Sequence, residues 1–162
     1  MKILYFGGQK SGKSLLAERR TLQLSKKPFY LATYSMEFAD KEMEQRVQKH
    51  RLQRKDRFVT LEESRNLSKV ISSSGVYLVD CLSMWILNTL DWEIERVFAE
   101  LEELEKGDSS IVFVLNSVGS GVIPIDKISR EYVDRVGLVG QRVVSFCDEV
   151  FEAKFGLEIR LK

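Results

Sequence analysis

Residues Gly7 to Ser14 read Gly-Gly-Gln-Lys-Ser-Gly-Lys-Ser and match the pattern G-x-x-x-x-G-K-[ST] from end to end. Such a loop has to be carried between a strand and a helix, so it constrains the fold more than any other stretch of the chain. Gly7, Gly8 and Gly12 allow the tight backbone path that turns N–H groups onto phosphate oxygens, and Gln9, Lys10 and Ser11 complete that cradle. Lys13 supplies a mobile point charge, and the Ser14 hydroxyl can hold Mg2+. The flanks agree: Lys2–Phe6 is a short apolar run of strand character, and Leu15–Leu24 is rich in helix formers. The loop therefore opens onto a helix N-terminus, where unpaired N–H groups and the helix dipole favour an anion. Nucleotide phosphate is the expected ligand.

A chain of 162 residues accommodates one α/β domain, residues 1–162, with an adequate core and little room for a second. Its 25 Lys and Arg against 24 Asp and Glu, a net charge of +1, create no global field for nucleic acid or an anionic membrane. Cys81 and Cys147 stand far apart among apolar neighbours, without metal-ligand or C-x-x-C spacing, which predicts free thiols in a reducing cytoplasm. No apolar run approaches the roughly 20 residues of a membrane span. The chain opens directly on its first strand, so no signal peptide is expected.

Beyond the first helix, Lys26-Lys27-Pro28 interrupts the helical pattern and Phe29–Thr33 reads as a second buried strand. Ala32, Thr33 and Tyr34 fall at its C-terminal end, the side on which open α/β sheets bind ligands. From Asp40 to Arg54 the charged sequence places Met43, Val47 and His50 at helical spacing. His50, the single histidine, is therefore on an apolar stripe, with Arg46, Arg51 and Arg54 nearby. That spacing fits a packed core residue or a nucleophile among phosphate-binding arginines. Phe58–Leu61 predicts a short extended piece, followed by a polar helix over Glu62–Ile71 and a Ser72–Gly75 turn.

Val76–Asp80 is an apolar run closing on an acid, the arrangement by which a buried strand delivers a carboxylate to the Mg2+ that Ser14 also holds. Leu82–Leu90 and Asp91–Lys106 read as two helices, with Met84, Trp85 and Trp92 as packing residues. Ser110–Leu115 is another apolar strand, and Asn116–Pro124 a loop at its C-terminal end. Ile128–Cys147 predicts a long helix, and Glu149–Phe151 with Leu157–Leu161 a terminal hairpin turning at Lys154-Phe155-Gly156. The alternation predicts an α/β fold of the P-loop NTPase, RecA-like kind: a mostly parallel sheet with helices on both faces and an antiparallel edge.

In order and spacing, several stretches resemble the bifunctional cobinamide kinase and cobinamide-phosphate guanylyltransferase family of cobalamin biosynthesis. They are the Gly7–Ser14 loop, Tyr30-Leu31-Ala32-Thr33, Asp40–Met43 leading through Arg46-Val47 to His50, then Arg54, Thr60 and Glu62, Leu78–Ser83, and Gly121–Pro124. The resemblance runs essentially the whole chain. It implies that ATP or GTP phosphorylates the aminopropanol hydroxyl of adenosylcobinamide. GTP then gives GMP to a histidine, here His50, and the phosphorylated corrinoid takes it up as the GDP-linked product. It also implies nucleotide contacts from Ala32, Thr33, Tyr34, Arg51, Arg54 and Glu62, catalysis by His50 and Lys13, metal binding by Ser14 and Asp80, and a homo-oligomer, a trimer. Two positions depart from the family pattern. Ser117 stands where the family carries Glu, and Gly140 where it carries Asn. A kinase for another alcohol would need the loop, Lys13 and Asp80 but no covalent histidine, and a nucleotide-binding regulator would bind without turnover.

Overall fold

The computed structural model describes residues 1–34, 55–71 and 74–162. The charged helix expected over Asp40–Arg54, with His50, Arg51 and Arg54, lies outside them. Among the described residues seven strands make one sheet: β1 (Lys2–Gly7), β2 (Phe29–Ala32), β3 (Val59–Glu62), β4 (Val76–Asp80), β5 (Ser110–Asn116), β6 (Glu149–Lys154) and β7 (Leu157–Arg160). Their order is β3-β2-β4-β5-β1-β6-β7, with every pairing parallel except β6 with β7. The mostly parallel α/β fold expected from the alternation is therefore present.

The central strands are apolar at nearly every position because each face of the sheet is covered. Ile3, Tyr5, Leu78, Val112 and Val114 pack with Ala17 of helix α1 (Lys13–Leu24). The intervening residues Leu4, Tyr77, Val79, Ile111 and Phe113 pack on the opposite face. That second face is covered from α2 (Leu67–Val70), α3 (Leu82–Asn88), α4 (Ile94–Lys106) and α5 (Lys127–Phe146) by Leu67, Trp85, Leu101 and Val139, all fully buried. Trp85 and Trp92 are core residues, as expected of packing groups. Fully burying side chains of this size contributes about 1.5–3 kcal/mol each, which fixes the register of the sheet and hence the level at which its loops emerge.

Two expectations are corrected. The polar helix over Glu62–Ile71 is only the single turn α2, because Glu62 pairs with Ala32 as the end of β3. Glu63 then folds back to accept the N–H groups of Arg65 and Asn66 at 2.8 and 2.9 Å, which makes a turn rather than a helix. The terminal hairpin is real, but its first strand runs to Lys154 and lies parallel to β1, so β7 alone is antiparallel. Cys81 and Cys147 are free thiols, and burial pushes Cys147 up to about 12. Among the described residues no helix is long and apolar enough to cross a membrane.

Candidate nucleotide site

The loop from Gly7 to Gly12 leaves β1 and ends as the N-cap of α1, with Gly12 in the left-handed region at φ 94°. No side chain caps that helix and no acidic residue occupies its first turn, so its N-terminal N–H groups face the loop uncompensated. A turn closed by Ser11 N–H donating to Gly8 O at 3.2 Å shapes the cradle. A Cβ on Gly7 would stand 2.4 Å from Ala153 O, so β6 itself demands that glycine. A Cβ on Gly8 would meet no protein atom within 4 Å, and that open space suits a phosphate. Gln9 and Lys10 are exposed, while Ser11 is buried with a hydroxyl that has no hydrogen-bond partner. Lys13 does not project freely into solvent: it is buried, and Nζ donates to Gly8 O at 3.0 Å. Burial lowers its pKa, opposed by the nearby Cys81 and Asp80.

Alternation along β4 turns Asp80 to the same face as Leu78, the face that α1 covers. Ser14 Oγ consequently donates to Asp80 Oδ1 at 3.4 Å. The other carboxylate oxygen accepts the hydroxyl of Tyr30 at 2.9 Å. Ser14 and Asp80 together offer two hard oxygens beside the phosphate cradle. Among the described residues no cluster of three or more His, Cys, Asp or Glu could hold a metal. That donor set suits Mg2+, which takes one or two protein oxygens and completes its shell with phosphate and water.

The profile of the cobinamide kinase / cobinamide phosphate guanyltransferase family matches residues 3–161. The chain belongs to this cobinamide kinase / guanyltransferase family. It is 36% identical to the bifunctional adenosylcobalamin biosynthesis protein CobP of Pseudomonas aeruginosa, covering 100% of this chain and 98% of that protein. It is 28% identical to the bifunctional adenosylcobalamin biosynthesis protein CobU of Escherichia coli, over the full length of both. Among solved structures it is similar to a KaiC-like protein from Pyrococcus horikoshii OT3, with TM-score 0.48 and 10% identity, over 93% of this chain and 69% of that one. As a member of the cobinamide kinase / guanyltransferase family it is a bifunctional nucleotide-binding enzyme of cobalamin biosynthesis, both kinase and guanylyltransferase.

The other expected site residues of this cobinamide kinase / guanyltransferase fall in distinct places. Ala32 pairs with Asp80 on one side and Glu62 on the other, so the three share one level at the C-terminal ends of neighbouring strands. Glu62 is exposed at the sheet edge, and Tyr34 is half-buried just beyond β2. Thr33 is fully buried: its hydroxyl donates to Cys81 O at 2.7 Å and accepts from Cys81 N–H at 3.0 Å. It thereby fixes the backbone immediately after Asp80. His50, Arg51 and Arg54 are outside the described residues. Ser117 donates its N–H to Gly7 O at 2.9 Å, which puts this departure from the family pattern at the mouth of the loop. Gly140 lies under β5, where an added Cβ would come 3.4 Å from Leu115.

Sequence reasoning missed Tyr30 and Ser83 as groups that set this site. In the sequence Tyr30 reads only as part of the buried strand Phe29–Thr33; a phenol two positions before the strand end, beside a strand closing on Asp, is the available signal. Ser83, itself buried, accepts the Asn116 N–H at 2.7 Å and ties the start of α3 to the end of β5.

Proposed function

We propose that one crevice, above the C-terminal ends of β1 and β4, serves both reactions: ATP or GTP phosphorylates the hydroxyl of adenosylcobinamide, and GTP then guanylylates the resulting phosphate. The observation that carries this reading is the approach of Ser14 Oγ to Asp80 Oδ1, 3.4 Å apart, beside an uncapped helix N-terminus. The Gly7–Ser14 loop would take the phosphate chain, and Lys13 would exchange Gly8 O for a phosphoryl oxygen. Mg2+ held by Ser14 and Asp80 would neutralise charge on the transferring group. In the kinase step the corrinoid hydroxyl attacks the γ-phosphorus, the bond to the bridging oxygen breaks, the nucleoside diphosphate leaves and the hydroxyl proton passes to solvent.

In the second reaction the neutral imidazole of His50 attacks the α-phosphorus of GTP and expels pyrophosphate. An oxygen of the phosphorylated corrinoid then attacks that phosphorus, the P–N bond breaks, and the imidazole is restored. Support comes from the chemistry of a neutral imidazole, a competent nucleophile and, once protonated, a good leaving group. His50 is also the chain's one histidine. Arg51, Arg54, Ala32, Tyr34 and Glu62 would contact the nucleotide, with Thr33 acting through the Cys81 backbone.

The working form is a homo-oligomer, a trimer by family likeness, in the cytoplasm. Val122, Ile123, Ile125 and Ile128, 95%, 78%, 96% and 69% exposed, support an association surface. Light scattering reads the subunit number.

The test is incubation with GTP and Mg2+ followed by intact-mass measurement. A GMP adduct that disappears in acid and persists in base is expected. His50→Ala should lose the adduct and guanylyl transfer while keeping the kinase step. If wild type forms no adduct, or His50→Ala still forms it, the histidine route fails and direct attack of the phosphorylated corrinoid on the α-phosphorus of GTP, expelling pyrophosphate, replaces it.

A further inference from the structure

The β6–β7 turn is built into the phosphate loop. Gly156 N–H donates to Ser11 O at 2.8 Å, and a Cβ on Gly12 would come within 3.0 Å of Gly156 Cα. Lys154 pairs with Leu157, so Phe155 and Gly156 form a two-residue turn, with φ of 53° and 81°. Both left-handed positions identify the turn type that favours Asn-Gly or Gly-Gly. This chain instead puts a phenylalanine at the first of them, a left-handed position that disfavours any L side chain. The residue is also 89% exposed. Neither the turn nor the core calls for an aromatic ring there.

Sheet order says what the ring can meet. Ser14 and Asp80 set the cation end of a bound polyphosphate on the β4 side of β1, two strands away. A nucleotide whose terminal phosphate points there has room to run its remainder across the loop to the opposite side. There β6 is the immediate neighbour of β1, at about 4.8 Å.

We propose that Phe155 is the platform on which the base of the phosphoryl-donor nucleotide stacks. This rests on nucleotide binding at the Gly7–Ser14 loop. A stacking ring is indifferent to which base it meets, since every base presents a π-face, so the contact serves ATP and GTP alike. The turn's hydrogen bond to Ser11 O holds platform and phosphate cradle at a constant separation.

The experiment measures binding of ATP, GTP and inorganic tripolyphosphate to the full chain with Mg2+, for wild type, Phe155→Ala and Phe155→Trp. Phe155→Ala should weaken both nucleotides about 10-fold, within the range of one lost base stack, and leave tripolyphosphate unchanged. Phe155→Trp should restore affinity and add fluorescence that nucleotide quenches and tripolyphosphate does not. Equal weakening of all three ligands would reduce the turn to a structural support of the loop and overturn the proposal, as would unchanged nucleotide affinity in Phe155→Ala. Wild type that binds none of the three would instead overturn the phosphate-loop assignment and the platform together.

Discussion

Tyr30 donates to one oxygen of Asp80 at 2.9 Å while Ser14 reaches the other at 3.4 Å, so a single carboxylate joins β2, β4 and the first turn of α1. A buried phenol in that position fixes which way the carboxylate faces. The loop thus finds its acidic partner already oriented before any ligand arrives.

Tyr30→Phe removes that hydrogen bond and keeps the ring, whose edge-on packing against Phe58, 6.0 Å between centroids, holds it in place. A hydrogen bond to a charged group contributes about 1.5–3 kcal/mol. The Mg2+ concentration for half-maximal turnover should therefore rise about 10-fold or more, with the fold retained by circular dichroism. Asp80→Asn should shift it further while sparing nucleotide affinity measured without metal. A magnesium titration of Tyr30→Phe that superimposes on wild type would remove Tyr30 from the site.

Burial holds the Lys13 ammonium below the ordinary lysine value of 10.5. In the free protein it therefore gives up its proton at a lower pH than an ordinary lysine, whereas a bound polyphosphate keeps it charged. Nucleotide affinity should be full below that lowered pKa and fall as pH rises through it, and binding in that window should take up a proton. Calorimetry in buffers of different ionisation enthalpy reads the uptake. Lys13→Ala should abolish it and lose about 3 kcal/mol of transition-state stabilisation in both reactions. Proton uptake persisting in Lys13→Ala would assign it elsewhere.

Gly7 and Gly8 separate fold from function. The Cβ of Gly7→Ala would stand 2.4 Å from Ala153 O, a backbone atom that cannot swing aside. Overpacking of that kind costs about 1–3 kcal/mol, which denaturant unfolding should register. The Cβ of Gly8→Ala meets nothing within 4 Å, so stability should stay within about 0.5 kcal/mol of wild type while nucleotide affinity falls. The reverse pattern would exchange their roles.

Consecutive residues specify the phosphate loop, its strand and helix flanks, the acid at the end of β4 and the alternation that builds a mostly parallel sheet. These are local: loop chemistry and hydrophobic period are written in consecutive residues. The order of strands was decided only in three dimensions, and with it the pairing of Glu62 to Ala32 that ended an expected helix. Tertiary packing likewise converted Tyr30 from a strand residue into a partner of Asp80, 50 positions away. It also brought the Phe155–Gly156 turn against Gly12. Such relations depend on which faces are buried and at what register, sums over the whole core that no short stretch encodes.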